Sequence, residues 1–486
     1  MRATIVRAPR LLIVGGGYVG LYSALGLENR LRPGEAEITL VSPESFMVYP
    51  PFLPEAASGN IEPRHVVVPL RTVLRRVRLI TGEVTDLDHG RRVATIRPPV
   101  GEPYELPYDV VVIGCGSVSR VLPVPGLAER GVGFKTVAEA IYLRNHVLSR
   151  MDAAESIANE RARRSALTFL FIGGGYAGIE ALAELEDMAR HACRYYRTVR
   201  RRDMRWVLVE AGSGILPEIG ARLGEYALER LRRRGIEVHL RTRLESAEGG
   251  RMRLSNGESF EADTLVWTTG VRAHPLVSRL GFPLDERGRL MADECLRVRG
   301  VEGAWTAGDC AAVPDLVTGG TCPPTAQHAL RQARQLAKNV GATLRGREPS
   351  QFRYRSLGLL VSLGRYKGVA QVAGLRFRGF PAWFLHRTYH VMRIPTFNRK
   401  ARVIADWTVA LFFRRDVVQL GSLQHPREAF AQAIGGSGAT EPEGQLIRGR
   451  SGGGTIPYDA RSAPRVRGDH MPASTPGPIP PGRREG

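Results

Sequence analysis

A chain of 486 residues with 43% apolar composition is long enough for two or three domains with full cores, which excludes a fibrous or wholly disordered protein. Its five cysteines, Cys115, Cys193, Cys295, Cys310 and Cys322, form no CxxC or CxxxxC pair, which argues against a disulfide framework, a zinc site and a dithiol centre and fits a reducing cytoplasm. The net charge of +21 is carried almost wholly by arginine, with lysine only at Lys135, Lys338, Lys367 and Lys400, so its distribution says more than its total.

The first element is the apolar run LLIVGGGYVGLYSALGL, residues 11 to 27, behind Arg2, Arg7 and Arg10. It has the outline of a signal peptide, but its glycines give a better account. A strand-like LLIV passes through GxGxxG into helical apolar spacing, and the pattern recurs as LTFLFI from Leu167 and GGGYAGIEALAELE. Gly15 and Gly173 permit a tight turn out of the strand, Gly17 and Gly175 let a pyrophosphate approach the backbone, and Gly20 and Gly178 let helix and strand pack closely. The helix N-terminus then receives the negative charge. One copy is compatible with a structural glycine turn; two matched copies point to two dinucleotide sites.

The second halves of the two units differ. AEITLVS ends at Val41 and Ser42 where a ribose-binding acid is expected, the nearest being Glu44. MRWVLVE ends on Glu210, suited to bind an adenosine ribose 2'-OH and repel a 2'-phosphate, so the second site reads as NADH-preferring. Arginines 200 to 202 leave NADPH open. YDVVVIGCGSV (108 to 118) and VEGAWTAGDCA (301 to 311) are further strand-to-glycine turns; the second sets Asp309 after Gly308, suited to a ribitol chain, and marks the first site as one for FAD. ADTLVWTTG (262 to 270) closes the NAD unit in the same way.

The stretch PPTAQHALRQ, 323 to 332, starts a helix with apolar residues at Ala326, Ala329, Leu330, Ala333, Leu336, Ala337 and Val340, and with Gln327 and Arg331 on another face. Residues 351 to 430 hold 14 Lys or Arg against Asp406, Asp416 and Glu428. Within them Trp383, Phe384, Tyr389, Phe397, Trp407, Phe412 and Phe413 are flanked by Arg387, Arg393, Arg399, Lys400, Arg402, Arg414 and Arg415, with Val403, Ile404, Trp407 and Leu411 on one helical face. Such amphipathic segments, too short to span, suit an anionic membrane interface; a buried core or a homodimer contact is the other account. No nucleic-acid module accompanies the basic excess. From about Gly435 the chain reads as a disordered tail.

GGGYVG, YDVVVIGCGS, GGGYAGIE, WTTGVRAHP and TAGDCA, in this order, resemble the pyridine nucleotide-disulfide oxidoreductase superfamily of flavoproteins, and PPTAQHA with the C-terminal segment beyond it resembles its type II (alternative) NADH dehydrogenases. The resemblance implies an α/β protein with two Rossmann-like domains and a C-terminal amphipathic membrane-attachment region. The FAD domain would be 8 to 125 with 281 to 350, the NAD domain 126 to 280, the attachment region 351 to 430 and the tail 431 to 486. FAD would be held by Gly15, Gly17, Gly20, Gly308, Asp309 and, through the helix opening at Thr325 and Ala326, near flavin N1 and C2=O. NADH would be held by Gly173, Gly175, Gly178 and Glu210. Glu180 matches a glutamate beside nicotinamide and flavin, though a first-turn carboxylate favoured by the helix dipole accounts for it equally. Gln327 and Arg331 would face a quinone, in AQxAxQ with its second glutamine replaced by Arg331 and Gln332 rotated away; Glu180, Gln327 and Arg331 are thus the candidate catalytic residues.

The region where disulfide reductases carry CxxxxC reads SPESFMVYPPFLPEAASG, so no thiol relay exists there. The implied activity is ping-pong transfer from NADH to a membrane quinone, without proton pumping, at the cytoplasmic face of the membrane, by a protein that binds no metal or nucleic acid. A soluble NADH-dependent reductase with a redox-protein acceptor and an NADH-sensing scaffold stay open as alternatives.

Overall fold

The computed structural model describes residues 7–420 except Leu357 and Arg414. The expected tail, 431 to 486, and Arg414 of the basic flank lie outside the described residues.

Strand β1 (Arg10–Val14) is the apolar run behind Arg10, four of its five residues buried. It turns through glycine into helix α1 (Tyr18–Arg30), and β2 (Glu37–Ser42) returns parallel, with Leu12 opposite Thr39 and Val14 opposite Val41. Strand β3 (Arg78–Thr81) lies beside β2, and β4 (Val110–Ile113) on the other side of β1. The chain then builds a second unit on the same plan: β5 (Gly131–Val132), β6 (Thr168–Ile172), helix α2 (Tyr176–Ala192), β7 (Arg205–Glu210), β8 (Glu237–Leu240) and β9 (Thr264–Trp267). It returns to the first sheet as β10 (Ala304–Thr306).

Both sheets are five-stranded and parallel, in the orders β10-β4-β1-β2-β3 and β5-β9-β6-β7-β8. Central strands of such sheets are covered on both faces and read as continuous apolar runs, as TFLFI does with all five residues buried. In each sheet the order reverses at the strand that precedes the glycine turn, β1 and β6. In doubly wound sheets ligands sit beyond the carboxyl ends of the strands at such a point. The repeat extends further than its glycines: each unit also carries a three-stranded antiparallel sheet, at Glu83–Asp88, Val93–Arg97 and Tyr104–Pro107 in the first and at Leu244–Ser246, Arg251–Leu254 and Ser259–Glu261 in the second. Between the units the chain crosses twice, through Ser117–Ser119 paired antiparallel with Val271–Ala273.

Helix α3 (Ala326–Leu344) buries Ala329, Leu330, Ala333, Leu336, Ala337 and Val340, the expected stripe without its first member Ala326. It packs on α1 through Gly26, where a Cβ would lie 2.6 Å from that of Ala337. After it, β11 (Gly358–Ser362), β12 (Gly368–Val372) and β13 (Leu375–Arg378) form an antiparallel sheet, followed by helices α4 (Phe380–Arg393) and α5 (Phe397–Phe412). Among the described residues no helix is long and apolar enough to cross a membrane.

Candidate active site

The two glycine turns divide their work in the same way. Gly15 leaves β1 with φ 99°, and a Cβ on it would stand 2.7 Å from the Gly114 carbonyl oxygen; Gly173 leaves β6 with φ 112° and would stand 2.7 Å from the Thr268 carbonyl oxygen. A side chain at Gly20 would collide with the Gly15 carbonyl oxygen, and one at Gly178 with that of Gly173. At Gly17 and Gly175 the reverse holds: a Cβ there meets nothing within 4 Å. Each is the N-cap of its helix and offers no side chain to the free N–H groups. The open space before each helix N-terminus fits a pyrophosphate, which would accept from those groups.

What stands behind each turn is chemically different. A Cβ on Gly16 would lie 2.5 Å from Ser42 Oγ, and one on Gly174 would lie 3.0 Å from Glu210 Oε2, so Ser42 and Glu210 are structural equivalents. Glu210 accepts from Gly174 N (2.5 Å) and Gly212 N (2.6 Å), which fix its carboxylate at the mouth of the second turn. Glu44 is exposed and lies beyond this position.

The return segment brings Gly308 and Asp309 beside the start of α1, where Gly308 adopts φ 76° and Val19 lies against it. Asp309 Oδ2 accepts from Ser117 Oγ (2.6 Å), and Ser117 Oγ from Lys135 Nζ (2.5 Å). Burial pulls the Lys135 ammonium below its ordinary pKa, while Asp309 and Glu139 oppose the shift. Gly308 N donates to Gln332 Oε1 at 2.8 Å. Gln332 does point away from Gln327, as its helical angle requires, but the structure gives it a task that side-to-side spacing does not reveal: buried, it ties α3 to the Asp309 loop. Ser117, Lys135 and Gln332 went unrecognised in the sequence because each acts through a contact distant along the chain.

Gln327 and Arg331 do share a face, and Tyr354 joins them. The Tyr354 hydroxyl donates to Gln327 Oε1 (3.0 Å), Gln327 Nε2 donates to the Gly358 carbonyl (3.1 Å), and Arg331 Nη1 donates to the Gln327 carbonyl (3.0 Å). The Arg331 guanidinium lies 4.2 Å from the centre of the Tyr354 ring, a cation–π contact. Thr325 caps the helix through His328 N (3.4 Å). Glu180, 7% exposed, sits at the other end of β11: it accepts from Ser362 N (2.8 Å) and stands 3.2 Å from His386 Nε2. These contacts occupy Glu180 more fully than a first-turn carboxylate that answers only to the helix dipole.

The helices α4 and α5 split the face expected of them. Phe397, Ile404, Leu411 and Phe412 point outward, with Phe380, Phe384 and Met392 exposed on α4. Val403, however, is fully buried, and Trp407 Nε1 donates to Glu55 Oε2 at 2.8 Å. Two of the expected flanking arginines are also internal. Arg387 lies 4.2 Å from the Trp383 ring and 4.6 Å from the Trp407 ring, paired with Glu55 at 2.6 Å, and Arg415 pairs with Asp187 at 2.8 Å. The reason is that buried Glu55 and Asp187 require cations, and the C-terminal segment supplies them.

Residues 9–333 match the family model described as pyridine nucleotide-disulphide oxidoreductase. The chain is 28% identical over 428 residues to the type II NADH:quinone oxidoreductase Ndh of Mycobacterium tuberculosis, covering 84% of this chain and 89% of that protein. It is 29% identical over 425 residues to a probable NADH dehydrogenase of Dictyostelium discoideum, covering 86% and 92%. In fold it is similar to the NDH2 structure from Plasmodium falciparum in complex with NADH, with TM-score 0.79 and 16% identity over 85% of this chain and all of that one. The glycine turns, the Asp309 loop and the doubled sheet fall within the matched residues, and the chain belongs to the pyridine nucleotide-disulphide oxidoreductase family.

Proposed function

We propose that this chain is a type II NADH:quinone oxidoreductase, which takes hydride from NADH into FAD and passes two electrons to a quinone at a membrane surface without pumping protons. The observation that carries the reading is the division of labour along α3. Its Gln332 holds the Asp309 loop of the first cradle while Gln327 and Arg331, on another face, present polar groups joined through Tyr354. FAD, when bound, supplies the two-electron relay between nicotinamide and acceptor. Gly15, Gly17, Gly20, Gly308 and Asp309 would hold it, with the N-terminus of α3 at Ala326 offering unpaired N–H groups to developing negative charge. Gly173, Gly175, Gly178 and Glu210 would hold NADH, and Glu210 would discriminate against a 2'-phosphate. Glu180 would stand at the meeting of the two ligands, oriented by Ser362 N and His386.

Segments 8 to 125 and 281 to 350 would make the FAD domain and 126 to 280 the NAD domain, consistent with the ribbon through which the chain crosses. The outward apolar stripe of α4 and α5 supports peripheral attachment of 351 to 430 at the cytoplasmic face of the cell membrane. The curated relatives named as NADH:quinone oxidoreductase and NADH dehydrogenase support the same acceptor and donor. The test is steady-state oxidation of NADH by the flavin-loaded protein with a soluble quinone analogue, with an acidic redox carrier such as a flavodoxin, or with neither. Turnover with quinone alone supports the reading; turnover with the carrier alone replaces it by a soluble reductase.

A further inference from the structure

Helix α2 carries two inward-facing glutamates one turn apart, Glu180 at 7% exposure and Glu184 at 0%. Ser362 holds both: its N–H donates to Glu180 Oε1 (2.8 Å) and its hydroxyl to Glu184 Oε1 (3.1 Å). The other oxygen of Glu184 accepts from Ser58 Oγ (3.1 Å) and Asn60 Nδ2 (3.0 Å), and these two are themselves joined at 3.0 Å. Ser58 and Asn60 flank Gly59, which is partly open to solvent. Beyond Glu180 the line continues through His386 at 3.2 Å to His390, whose ring centre lies 4.5 Å away, and Tyr49 Oη lies 3.5 Å from His390 Nδ1. Among the described residues, His386 Nδ1 is buried without a hydrogen-bond partner.

Among the described residues, the carboxylates around Glu184 are paired with arginine, and Glu184 is not. Glu55 pairs with Arg387, Asp187 with Arg415 and Arg190, and Glu186 with Arg234. Among the described residues, the direct donors to Glu184 are two hydroxyls and an amide. Burial pushes its carboxyl up to about 7; Glu55 and Asp187 add to the rise, while Arg415 and Arg387 oppose it. A fully buried acid solvated by neutral groups, in contact with hydroxyls that both accept and donate, has the chemistry of a proton reservoir rather than of an ion pair.

We propose that Glu184 stores the proton consumed when the acceptor is reduced, releasing it through the Ser362 hydroxyl it contacts, while the Ser362 N–H only positions Glu180, and that it is refilled from the Ser58–Asn60 side. The inference rests on the quinone reading. NADH, one proton and a quinone give NAD+ and a quinol: the hydride brings two electrons and one proton, and the second leaves the Glu184 O–H bond for the Ser362 hydroxyl, which gives up its own proton toward the acceptor, after which a solvent proton from the Ser58–Asn60 side restores the carboxyl. Glu184 is a positioning residue in this scheme, since it touches neither substrate.

The test has two arms. Infrared difference spectra of the flavin-loaded protein, recorded across neutral pH, are expected to show a protonated-carboxyl band that titrates near neutrality and is absent in Glu184→Gln. In the second arm quinone reoxidises prereduced protein; its rate is expected to fall above the same pH by roughly tenfold per unit, the slope of one required proton. Glu184→Gln should flatten that profile and Glu184→Asp should restore a displaced one. A band that persists in Glu184→Gln, or a pH profile the substitution leaves unchanged, overturns the proposal. If Glu184→Gln does not fold, Ser362→Ala removes only one donor: an unshifted band and profile overturn the proposal, and displaced ones support it. Failure of quinone to reoxidise even the native protein defeats the functional reading instead, while the infrared arm still decides whether Glu184 holds the proton.

Discussion

At the level of single residues the glycines make separable demands. Gly15 adopts φ 99° against the Gly114 carbonyl, so Gly15→Ala strains the backbone and crowds a neighbour at once. A loss of about 1–3 kcal/mol in urea unfolding is expected even without ligand. Gly17 faces open space in an ordinary conformation, so Gly17→Val should leave apo stability nearly untouched and instead weaken flavin retention on desalting. Equal effects of the two substitutions on stability would remove the case for a cradle. Glu210→Ala removes the acceptor that Gly174 and Gly212 now hold. It should raise the KM for NADH by roughly tenfold and narrow the preference over NADPH, each within the range of one charge-assisted hydrogen bond.

Glu184 gives a prediction for stability as well. Its folded pKa of about 7 lies above the ordinary 4.5, so the folded state binds the proton more tightly than the unfolded chain does. Stability contributed by the protonated form is therefore present below pH 4.5, declines as pH rises toward about 7 and stays lost above it. The amount is on the order of 3 kcal/mol. Glu184→Gln should remove this decline, so that the variant gains on the native protein in urea unfolding between about pH 5 and about pH 8.

Among elements, α4 and α5 are held from within by charge and face outward with apolar side chains. Arg387 sits between Trp383 and Trp407 with its charge on Glu55, which is 1% exposed. Arg387→Ala leaves that carboxylate buried without its cation and should cost roughly 3–5 kcal/mol, read as a lowered urea midpoint. The outward set behaves differently: replacing Phe397, Ile404, Leu411 and Phe412 by serine should preserve folding and NADH reduction of the flavin and abolish co-sedimentation with anionic vesicles. Retained sedimentation would assign the stripe to some other partner. Periodicity alone puts Val403 and Trp407 on this outer face, because an amphipathic stripe does not say which neighbour it meets. A tryptophan N–H and two buried carboxylates decide the matter.

Across the whole molecule, what could be read from the sequence was what repeats or lies close along the chain. The doubled GxGxxG, the strands that precede it and the α3 stripe apart from Ala326 follow from local spacing, and the structure has them where that spacing puts them. The contacts that complete the sites are long-range. Lys135 reaches Ser117, Gln332 reaches Gly308, Tyr354 reaches Gln327 and Ser362 reaches two glutamates. No spacing rule announces such pairs, since each depends on how two units and a C-terminal sheet pack together. The same limit applies to the extra antiparallel sheet in each unit, whose strands carry no motif.

The choice of acceptor turns on Arg331, a cation over Tyr354 where the resembled family has a glutamine. Sequential-mixing stopped flow tests it most directly: the protein is first bleached by one equivalent of NADH without oxygen and then mixed with a quinone analogue. Prompt return of the oxidised flavin spectrum is expected, with Arg331→Gln altering only that second phase. Reoxidation by quinone no faster than by air, or equal loss in both phases for Arg331→Gln, would contradict it.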